Sequence, residues 1–359
     1  MYSRYIPAAL LSLANIRSVY GASTPEKRAT CSGGQSVKNA ACCAWFPVLE
    51  DILPNMFNNE CGDDAHSALR LSFHDAIGFS PSGGGGGADG SIITFSDIEL
   101  AYPPNDGLDD AVTTQSPFIA AHNVTAGDFI QFAAAVSLSL CPGAPRVGFM
   151  MGRPKATAPS PSPNGLVPEP FDTVDSILAR MKDAGGFTPT DVVALLASHS
   201  VAGADTVDPT IPGTPFDSTP SLFDTQIFIE VQLRGTMFPG SNPGEGEVES
   251  AVAGEMRLQS DHLPAILRRL VLGNPLLETW PAPSQHSKGL STRCPLLDTV
   301  QRISLTVPTL FPHRLPLPAN AGPHLPAGQK QSDIEQACAT SPFPTFTAQS
   351  GPATTVPAM

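Results

Sequence analysis

The spacing of apolar residues is the feature of this sequence that most constrains its fold, because they recur every three or four positions along six segments. Such spacing places apolar side chains on one face of a helix, whereas strand-like alternation is short and rare in this chain. The sequence therefore predicts a mainly α-helical protein, in which Thr188 and Pro189 mark the start of one helix. The six predicted helices are Cys42–Phe57, Asp63–Ile77, Ala126–Leu140, Val174–Ala184, Pro189–Ala204 and Phe223–Leu233.

The length and charge of the chain limit its organisation and its partners. At roughly 150 residues per domain, a chain of 359 residues predicts two domains or two halves around one site. Asp and Glu number 33 against 20 Lys and Arg, which argues against nucleic acid and anionic membranes as partners. No apolar run reaches the roughly 18 residues that a membrane span requires. We expect a monomer that acts on small molecules.

The N-terminal residues predict export from the cell. Arg4 is followed by the apolar stretch Ile6–Ala14, and small residues cluster at Gly21–Ser23. This pattern resembles a short secretory signal, and the dibasic Lys27-Arg28 follows it. Residues 1–28 are therefore predicted to be a signal peptide and propeptide, and the mature protein is predicted to be secreted.

The cysteines and one glycosylation sequence also fit export. Seven cysteines, at positions 31, 42, 43, 61, 141, 294 and 338, are too few for a disulfide scaffold but suit a secreted enzyme with several bridges. Because seven is an odd number, one thiol must stay unpaired or find an outside partner. Asn123-Val124-Thr125 is an N-glycosylation sequence whose occupancy the sequence leaves open.

One face of the predicted helix Asp63–Ile77 carries four polar residues. Asp63, Ser67, Arg70 and His74 fall at i, i+4, i+7 and i+11, so they share that face. An arginine one turn before a histidine places a fixed cation beside a titratable base. Such a pair can accept a proton from one oxygen and stabilise negative charge on another. The alternative is a core helix with one hydrogen-bonded histidine and a surface arginine.

A second histidine lies on an apolar helix face. His199 shares its face with Val192, Leu195 and Leu196. A histidine in this position is either a buried core residue or a metal ligand. A metal-ligating imidazole needs an acceptor for its other nitrogen, and Asp261 is a candidate for that acceptor.

Oxygen-bearing residues follow both histidines directly, namely Asp75 and Ser200. Loops rich in carboxylates and hydroxyls come further along the chain, at Gly87–Ser91 and Asp217–Asp224. Such oxygen donors are the ligands that Ca²⁺ takes in six- to eight-fold coordination. Each loop alone is more typical of an ordinary Asx or Ser/Thr turn than of a calcium site.

Four motifs together carry a resemblance to a known family. They are Leu69–Ser80, Gly83–Ser91, Leu195–Ser200 and Pro212–Asp224, in this order and spacing. In these motifs the chain resembles the class II secreted fungal haem peroxidases, which comprise the manganese, lignin and versatile peroxidases. It is most similar to a short or atypical manganese peroxidase. The resemblance extends from Cys31 to His262 almost without gaps.

The resemblance implies a two-domain helical haem peroxidase fold, with haem b between a distal and a proximal half. The implied distal half is 29–173, the proximal half 174–320, and an extended C-terminal tail 321–359. The implied enzyme reduces H2O2 and oxidises Mn²⁺, phenolic lignin-type donors, or both, through high-valent iron. Two alternatives stay open: a generic low-potential phenol peroxidase without a manganese site, and a non-catalytic secreted protein stabilised by calcium.

The resemblance also implies roles for individual residues at the haem. His199 would bind the iron axially and Asp261 would accept its other N–H, which favours oxidised iron. On the opposite side His74 would be the base and Arg70 would stabilise charge as the O–O bond breaks. The remaining implied residues are Asn105, which orients His74, and the pocket aromatics Phe73 and Phe216.

Three metal sites are implied in the same way. The distal Ca²⁺ would be bound by Asp75, Gly87, Asp89 and Ser91, and the proximal Ca²⁺ by Ser200, Asp217, Thr219, Leu222 and Asp224. Mn²⁺, as a substrate, would be bound at Asp63, Ser67 and Asp205, where Ser67 replaces an acid and predicts a weakened site. Ala194 occupies the position of a surface tryptophan that passes electrons inward in some members. The absence of a tryptophan at this position argues against direct oxidation of high-potential lignin aromatics.

The pattern fails from Pro264 to about Pro318 and resumes near His324. The resemblance implies the disulfides Cys31–Cys43 and Cys61–Cys141, but it leaves open the pairing of Cys42, Cys294 and Cys338. We hypothesise that residues 264–318 are translated out of frame or misassigned by splicing. The abrupt loss of the pattern and its return at nearly normal spacing motivate this hypothesis. Transcript sequencing that reproduces the segment as written would contradict it.

Overall fold

The computed structural model describes residues 29–37, 39–81, 85–145, 147–162 and 164–261. The predictions for 1–28, 264–318 and 321–359, and those for Cys294 and Cys338, lie outside these residues. The described helices are α1 (Trp45–Asn55), α2 (Asp63–Ile77), α3 (Ser91–Thr94), α4 (Ser96–Glu99), α5 (Asp109–His122), α6 (Ala126–Leu140), α7 (Val174–Gly185), α8 (Pro189–Leu196) and α9 (Gln226–Glu230). Four 3₁₀ helices accompany them within the described residues, at Ala40–Ala44, Pro103–Asn105, Ala197–Val201 and Gln259–Asp261.

Strands are few and short in the described part of the chain, which confirms the mainly α-helical class. They form three antiparallel pairs of two residues each: β1 (Ala29–Thr30) with β2 (Ser36–Val37), β3 (Gly203–Ala204) with β4 (Thr214–Pro215), and β5 (Glu247–Val248) with β6 (Arg257–Leu258). In register, Ala29 faces Val37, Gly203 faces Pro215 and Glu247 faces Leu258. No helix among the described residues is both long and apolar enough to span a membrane.

Helices α2 and α6 form the centre of the fold, and both have the bounds that the apolar spacing predicts. Ala65 and Ala68 of α2 are buried in one cluster with Phe129 and Ala133 of α6. Alanines on the α2 face let the larger α6 side chains approach closely, which is how interior helices reach dense packing. The Thr125 hydroxyl caps α6 by accepting from the Asp128 backbone N–H.

The start of α8 is as predicted, but its end is not. Thr188 and Asp191 form a reciprocal capping box, with Pro189 at the first helical position. The α-helix was predicted to continue to Ala204, but it ends at Leu196 and tightens into the 3₁₀ helix Ala197–Val201. Beyond it the chain leaves the helix to pair β3 with β4.

Helix α9 is shorter than the predicted helix Phe223–Leu233 because side chains bind the backbone at both ends. At the start, the Gln226 N–H donates to the Asp224 carboxylate at 2.7 Å. At the end, the Arg257 guanidinium donates to the carbonyls of Glu230 and Leu233 at 2.9 and 2.7 Å. Those carbonyls are thereby satisfied outside a helical ladder.

Helix α5 was not among the predicted helices. Its buried residues are Ala111, Val112 and Gln115, so its inward face is small and partly polar. Pro117 lies inside the helix as well. A face of this kind gives little apolar periodicity, which is the signal that a sequence-based prediction uses.

Both disulfides implied by the resemblance are present. Cys31 is joined to Cys43 and Cys61 to Cys141. Cys42 is disulfide-bonded as well. The Cys61–Cys141 bridge ties the residues just before α2 to the end of α6, so it fixes the central helix pair at one end.

Candidate active site

A cavity of about 400 Å³ lies between α2, α6 and α8, and both histidines line it. This volume is within the range of about 300 to 1,000 Å³ typical of small-molecule and cofactor sites. His74 and Arg70 reach it from α2, and His199 reaches it from the 3₁₀ helix after α8. Phe73 and Phe216 contribute to its mostly apolar wall. An apolar cofactor that carries a metal within reach of a histidine would suit such a cavity.

The orientation of His74 is fixed by a hydrogen-bonded chain. The His74 Nδ1 atom lies 3.1 Å from Asn105 Oδ1, and Asn105 Nδ2 donates to the Glu99 carbonyl at 2.9 Å. Since the amide N–H₂ group is used by that carbonyl, the Asn105 oxygen must accept from His74 Nδ1–H. The other ring nitrogen, Nε2, is then unprotonated and free to accept a proton.

Electrostatics keep His74 neutral. Burial, and then the Arg70 guanidinium, lower the pKa of His74 to about 3, against the opposing hydrogen bond from Asn105. Arg70 itself is held by donation to the Asp106 carbonyl at 2.7 Å. A neutral imidazole beside a fixed cation is the arrangement that accepts a proton and stabilises a developing anion.

A buried carboxylate orients His199, a pairing that the sequence spacing alone could not establish. Its Nδ1 atom lies 3.0 and 3.1 Å from the two oxygens of Asp261, which is only 2% exposed. Burial alone would lower the pKa of His199, but the charge of Asp261 and their hydrogen bond raise it. The Phe216 ring stacks on the imidazole with centroids 5.0 Å apart. His199 Nε2 is thereby left as the ring nitrogen that would bind a metal.

The loop after α2 brings together the four residues of the implied distal calcium site. Both oxygens of Asp75 accept from the Gly90 N–H at 3.0 Å, and Asp89 Oδ1 accepts from the Ser91 N–H at 3.0 Å. Burial, and then the nearby Asp89 carboxylate, raise the pKa of Asp75 well above its usual value. Two like charges at a buried position favour a bound cation.

Four of the five implied proximal calcium residues lie on the loop before α9, whereas Ser200 lies on the 3₁₀ helix Ala197–Val201, where its hydroxyl donates to the Ala197 carbonyl at 2.8 Å. The Thr219 N–H donates to Asp217 Oδ1 at 2.9 Å, and the Thr219 hydroxyl donates to Asp224 Oδ2 at 3.0 Å. Asp217 is fully buried, yet its Oδ2 finds no hydrogen-bond donor among the described residues. Burial, and then the Asp224 and Glu230 carboxylates, raise the pKa of Asp217 to about 7 despite the Thr219 bond. An orphaned carboxylate oxygen of this kind fits a cation.

The three implied manganese residues do not form a three-acid site. Asp63 and Ser67 lie on α2, and Asp205 accepts from the Gly213 N–H at 2.9 Å. No group of three or more His, Cys, Asp or Glu suited to a metal ion occurs in the described part of the chain. Asp205 nevertheless lies near Arg70, since a Cβ on Gly107 would be 3.4 Å from Arg70 Nη1 and 3.9 Å from Asp205 Cβ.

Sequence reasoning missed Glu99, which positions the distal residues. It is 3% exposed, its carbonyl accepts from Asn105, and its carboxylate accepts from the Ser160 N–H at 2.8 Å. The contact with Asn105 uses the Glu99 backbone, which any residue type could supply. The sequence therefore contained no signal for this role.

Comparisons with known proteins agree with this geometry. The peroxidase family model matches residues 49–265, and that of the fungal peroxidase extension region matches residues 307–359. The chain is 49% identical to ligninase H2 of Phanerodontia chrysosporium, over 99% of this chain and 97% of the relative. It is 48% identical to manganese peroxidase 3 of Phlebia radiata, over 97% of both chains. It is 49% identical to versatile peroxidase VPS1 of Pleurotus eryngii, over 92% of this chain and 91% of the relative.

These relatives carry three different substrate names at nearly equal identity, so similarity alone does not select one reducing substrate. They do favour an enzyme over the non-catalytic alternative. The family match covers the cavity with His74 and His199, and the relatives extend over nearly the whole chain. The chain therefore belongs to the class II fungal peroxidases and is a haem peroxidase enzyme.

Proposed function

We propose that this peroxidase reduces hydrogen peroxide with His74, Arg70 and Asn105, and that it oxidises Mn²⁺ at a weak site near Arg70. A haem b, which the family implies, would bind through His199 and supply the iron that exchanges electrons with peroxide and donors. The observation that carries the proposal is the pair of oriented histidines, His74 and His199, that line one cavity. The Asp261 and Asn105 contacts fix the ring nitrogen that each histidine presents to it.

The distal residues divide the work on peroxide between them. His74 Nε2 accepts the proton of the peroxide oxygen that approaches the cavity centre, and then delivers it to the departing oxygen. Arg70 stabilises the negative charge that builds on that oxygen, because its guanidinium is held in place by the Asp106 carbonyl. Asn105 keeps His74 in the tautomer that this transfer requires.

The proposal includes two Ca²⁺ ions as structural cofactors. Asp75 directly follows His74, and Ser200 directly follows His199. Each proposed calcium site would therefore use a residue that is the chain neighbour of a histidine lining the cavity. The like charges of buried Asp75 and half-buried Asp89, and the orphaned oxygen of Asp217, support these two sites. A bound cation at each loop would hold the adjacent histidine in place.

Manganese is the favoured reducing substrate because two carboxylates, each a hard oxygen donor, are associated with Arg70, which lines the cavity. Asp63 lies on the α2 face that carries Arg70, and Asp205 lies beside the Arg70 guanidinium. Mn²⁺ prefers such ligands. Ser67 contributes a hydroxyl in place of a third carboxylate, so affinity is expected to be weak. The second candidate is a phenol peroxidase that uses the cavity edge, and the mostly apolar cavity wall favours it.

Substituting Ser67→Glu is expected to lower the half-saturating Mn²⁺ concentration by about tenfold, because ligand charge sets the affinity of oxygen sites. The measurement is steady-state formation of chelated Mn³⁺ against Mn²⁺ concentration. Ser67→Gln is the matched control, with the same length and no charge, and should show no gain. If neither the unmodified enzyme nor Ser67→Glu shows saturable Mn³⁺ formation, the manganese proposal fails and the phenol candidate replaces it.

We propose export on the basis of the N-terminal signal pattern. Glycosylation of Asn123 provides the test. This residue is exposed in a left-handed conformation at the end of α5, and the Thr125 hydroxyl caps α6. We expect the secreted protein to lose mass on treatment with an N-glycosidase. Thr125→Asn should abolish that loss while keeping a good cap, and Thr125→Ser should retain both. An intracellular product without a glycan would contradict export.

A further inference from the structure

Tyr102 is the one tyrosine and Trp45 the one tryptophan among the described residues, and these aromatic side chains can lose a single electron. Trp45 is 3% exposed, and its ring packs against Phe149, which lines the cavity, at a centroid distance of 4.7 Å. Tyr102 is partly exposed. An external donor too large for the cavity can therefore approach Tyr102 but not Trp45.

Tyr102 is joined to the cavity by a short bonded path. It caps the 3₁₀ helix Pro103–Asn105, and both Pro103 and Pro104 line the cavity. The Tyr102 carbonyl accepts from the Asn105 N–H at 2.8 Å. Asn105 in turn bonds His74. The tyrosine is thus one peptide bond from the cavity wall and one hydrogen bond from the residue that orients the distal histidine.

The phenol itself is held in one orientation. Its hydroxyl donates to the Ser160 carbonyl at 3.2 Å. Ser160 is fixed in turn, because its N–H donates to Glu99 Oε1 at 2.8 Å and its hydroxyl donates to the Gly78 carbonyl at 3.2 Å. Phenols are the donor class of the second candidate function. The protein therefore holds a phenol of its own between solvent and the cavity.

We propose that Tyr102 is a redox-active residue that relays single electrons from bulky phenolic donors to the cavity. The inference rests on the proposed function, since the oxidant is the peroxide-oxidised haem. Tyr102 gives up one electron to that haem while its O–H bond breaks and the proton leaves to solvent. An external phenol then transfers one electron and one proton to the resulting phenoxyl, which restores the tyrosine O–H bond. One H2O2 and two phenols yield two water molecules and two phenoxyl radicals.

The first test detects the radical in the haem-loaded protein. Peroxide is added without donor, and samples are frozen for electron paramagnetic resonance or treated with a nitroso spin trap and digested. We expect a tyrosyl signal and a trap adduct on the Tyr102 peptide, with both absent from Tyr102→Phe. The matched control Trp45→Phe should retain both. Loss of the radical in Trp45→Phe but not in Tyr102→Phe would overturn the proposal.

The second test separates a relay from a mere radical trap. The ratio of kcat/KM for a polymer-linked phenol to that for the same free phenol should fall about tenfold in Tyr102→Phe. A ratio equal to that of the unmodified enzyme would overturn the relay even if Tyr102 forms a radical. Failure of the relay alone leaves haem absorbance and oxidation of the free phenol intact. Failure of the proposed function removes those two signals as well.

Discussion

Replacing His74 with alanine lowers the rate constant for the reaction of the haem-loaded enzyme with peroxide by about 10²- to 10⁴-fold, the usual contribution of a positioned acid–base group. The loss follows from geometry, because Asn105 fixes the Nδ1–H of His74 and leaves Nε2 as the proton acceptor. Arg70 remains but cannot take that proton, since a guanidinium stays protonated in proteins. The measurement is stopped-flow absorbance of the haem band against peroxide concentration.

Two controls show that the loss belongs to the proton transfer. The haem band before peroxide should be unchanged, because the substitution leaves His199 and its contact with Asp261 in place. Added imidazole should restore part of the rate, because alanine leaves space for an external base. A variant that reacts with peroxide as fast as the unmodified enzyme would remove His74 from the mechanism.

The parts of the fold that were predictable from the sequence are those with a local physical signal. The bounds of α2 and α6 follow from apolar spacing, and the start of α8 follows from the Thr188 cap. Helix α5 has a small and partly polar buried face, so it gave no such signal. The end of α9 depends on Arg257, which lies 27 residues beyond Glu230 in the chain.

The candidate site divides in the same way. Arg70 and His74 were predictable because they share one helix face. The pairing of His199 with Asp261 spans 62 residues, so the sequence could identify Asp261 only as a candidate partner. The orphaned oxygen of Asp217 depends on burial within a folded loop, which no local pattern reports. Contacts between distant segments were therefore available only through the family resemblance or the structure.

Removing calcium is expected to lower the melting temperature by roughly 5–10 °C for each site emptied from a calcium concentration 100 times its Kd. At that concentration one bound ion stabilises the folded state by about 2.7 kcal/mol, a large part of a typical total of about 5–15 kcal/mol. The physical reason is the buried charge at Asp75 and Asp217. A bound cation neutralises this charge, and removal of the cation leaves it unpaired. The measurement is thermal unfolding with calcium and with a chelator.

Asp217→Asn should change stability in opposite directions in the two conditions. With calcium the variant loses a charged ligand and melts lower than the unmodified protein. With chelator it melts higher near pH 7 or above, because the neutral amide replaces a buried carboxylate whose pKa is raised to about 7. The exposed Asp97→Asn is the matched control, expected to change neither melting temperature. A lower melting temperature for Asp217→Asn in both conditions would contradict a cation at this oxygen.

The raised pKa of the Asp217 carboxylate also predicts how the stability of the calcium-free protein changes with pH. In the calcium-free protein the folded state holds the Asp217 proton up to about pH 7, whereas an unfolded chain loses it near the usual value of 3.8. The folded state therefore binds more protons between these values, and its stability falls as pH rises through that window. Calcium requires the ionised form, so its affinity at the proximal site should rise over the same window and level off above pH 7. Calcium titrations that show equal proximal affinity at pH 5 and pH 7 would contradict this assignment.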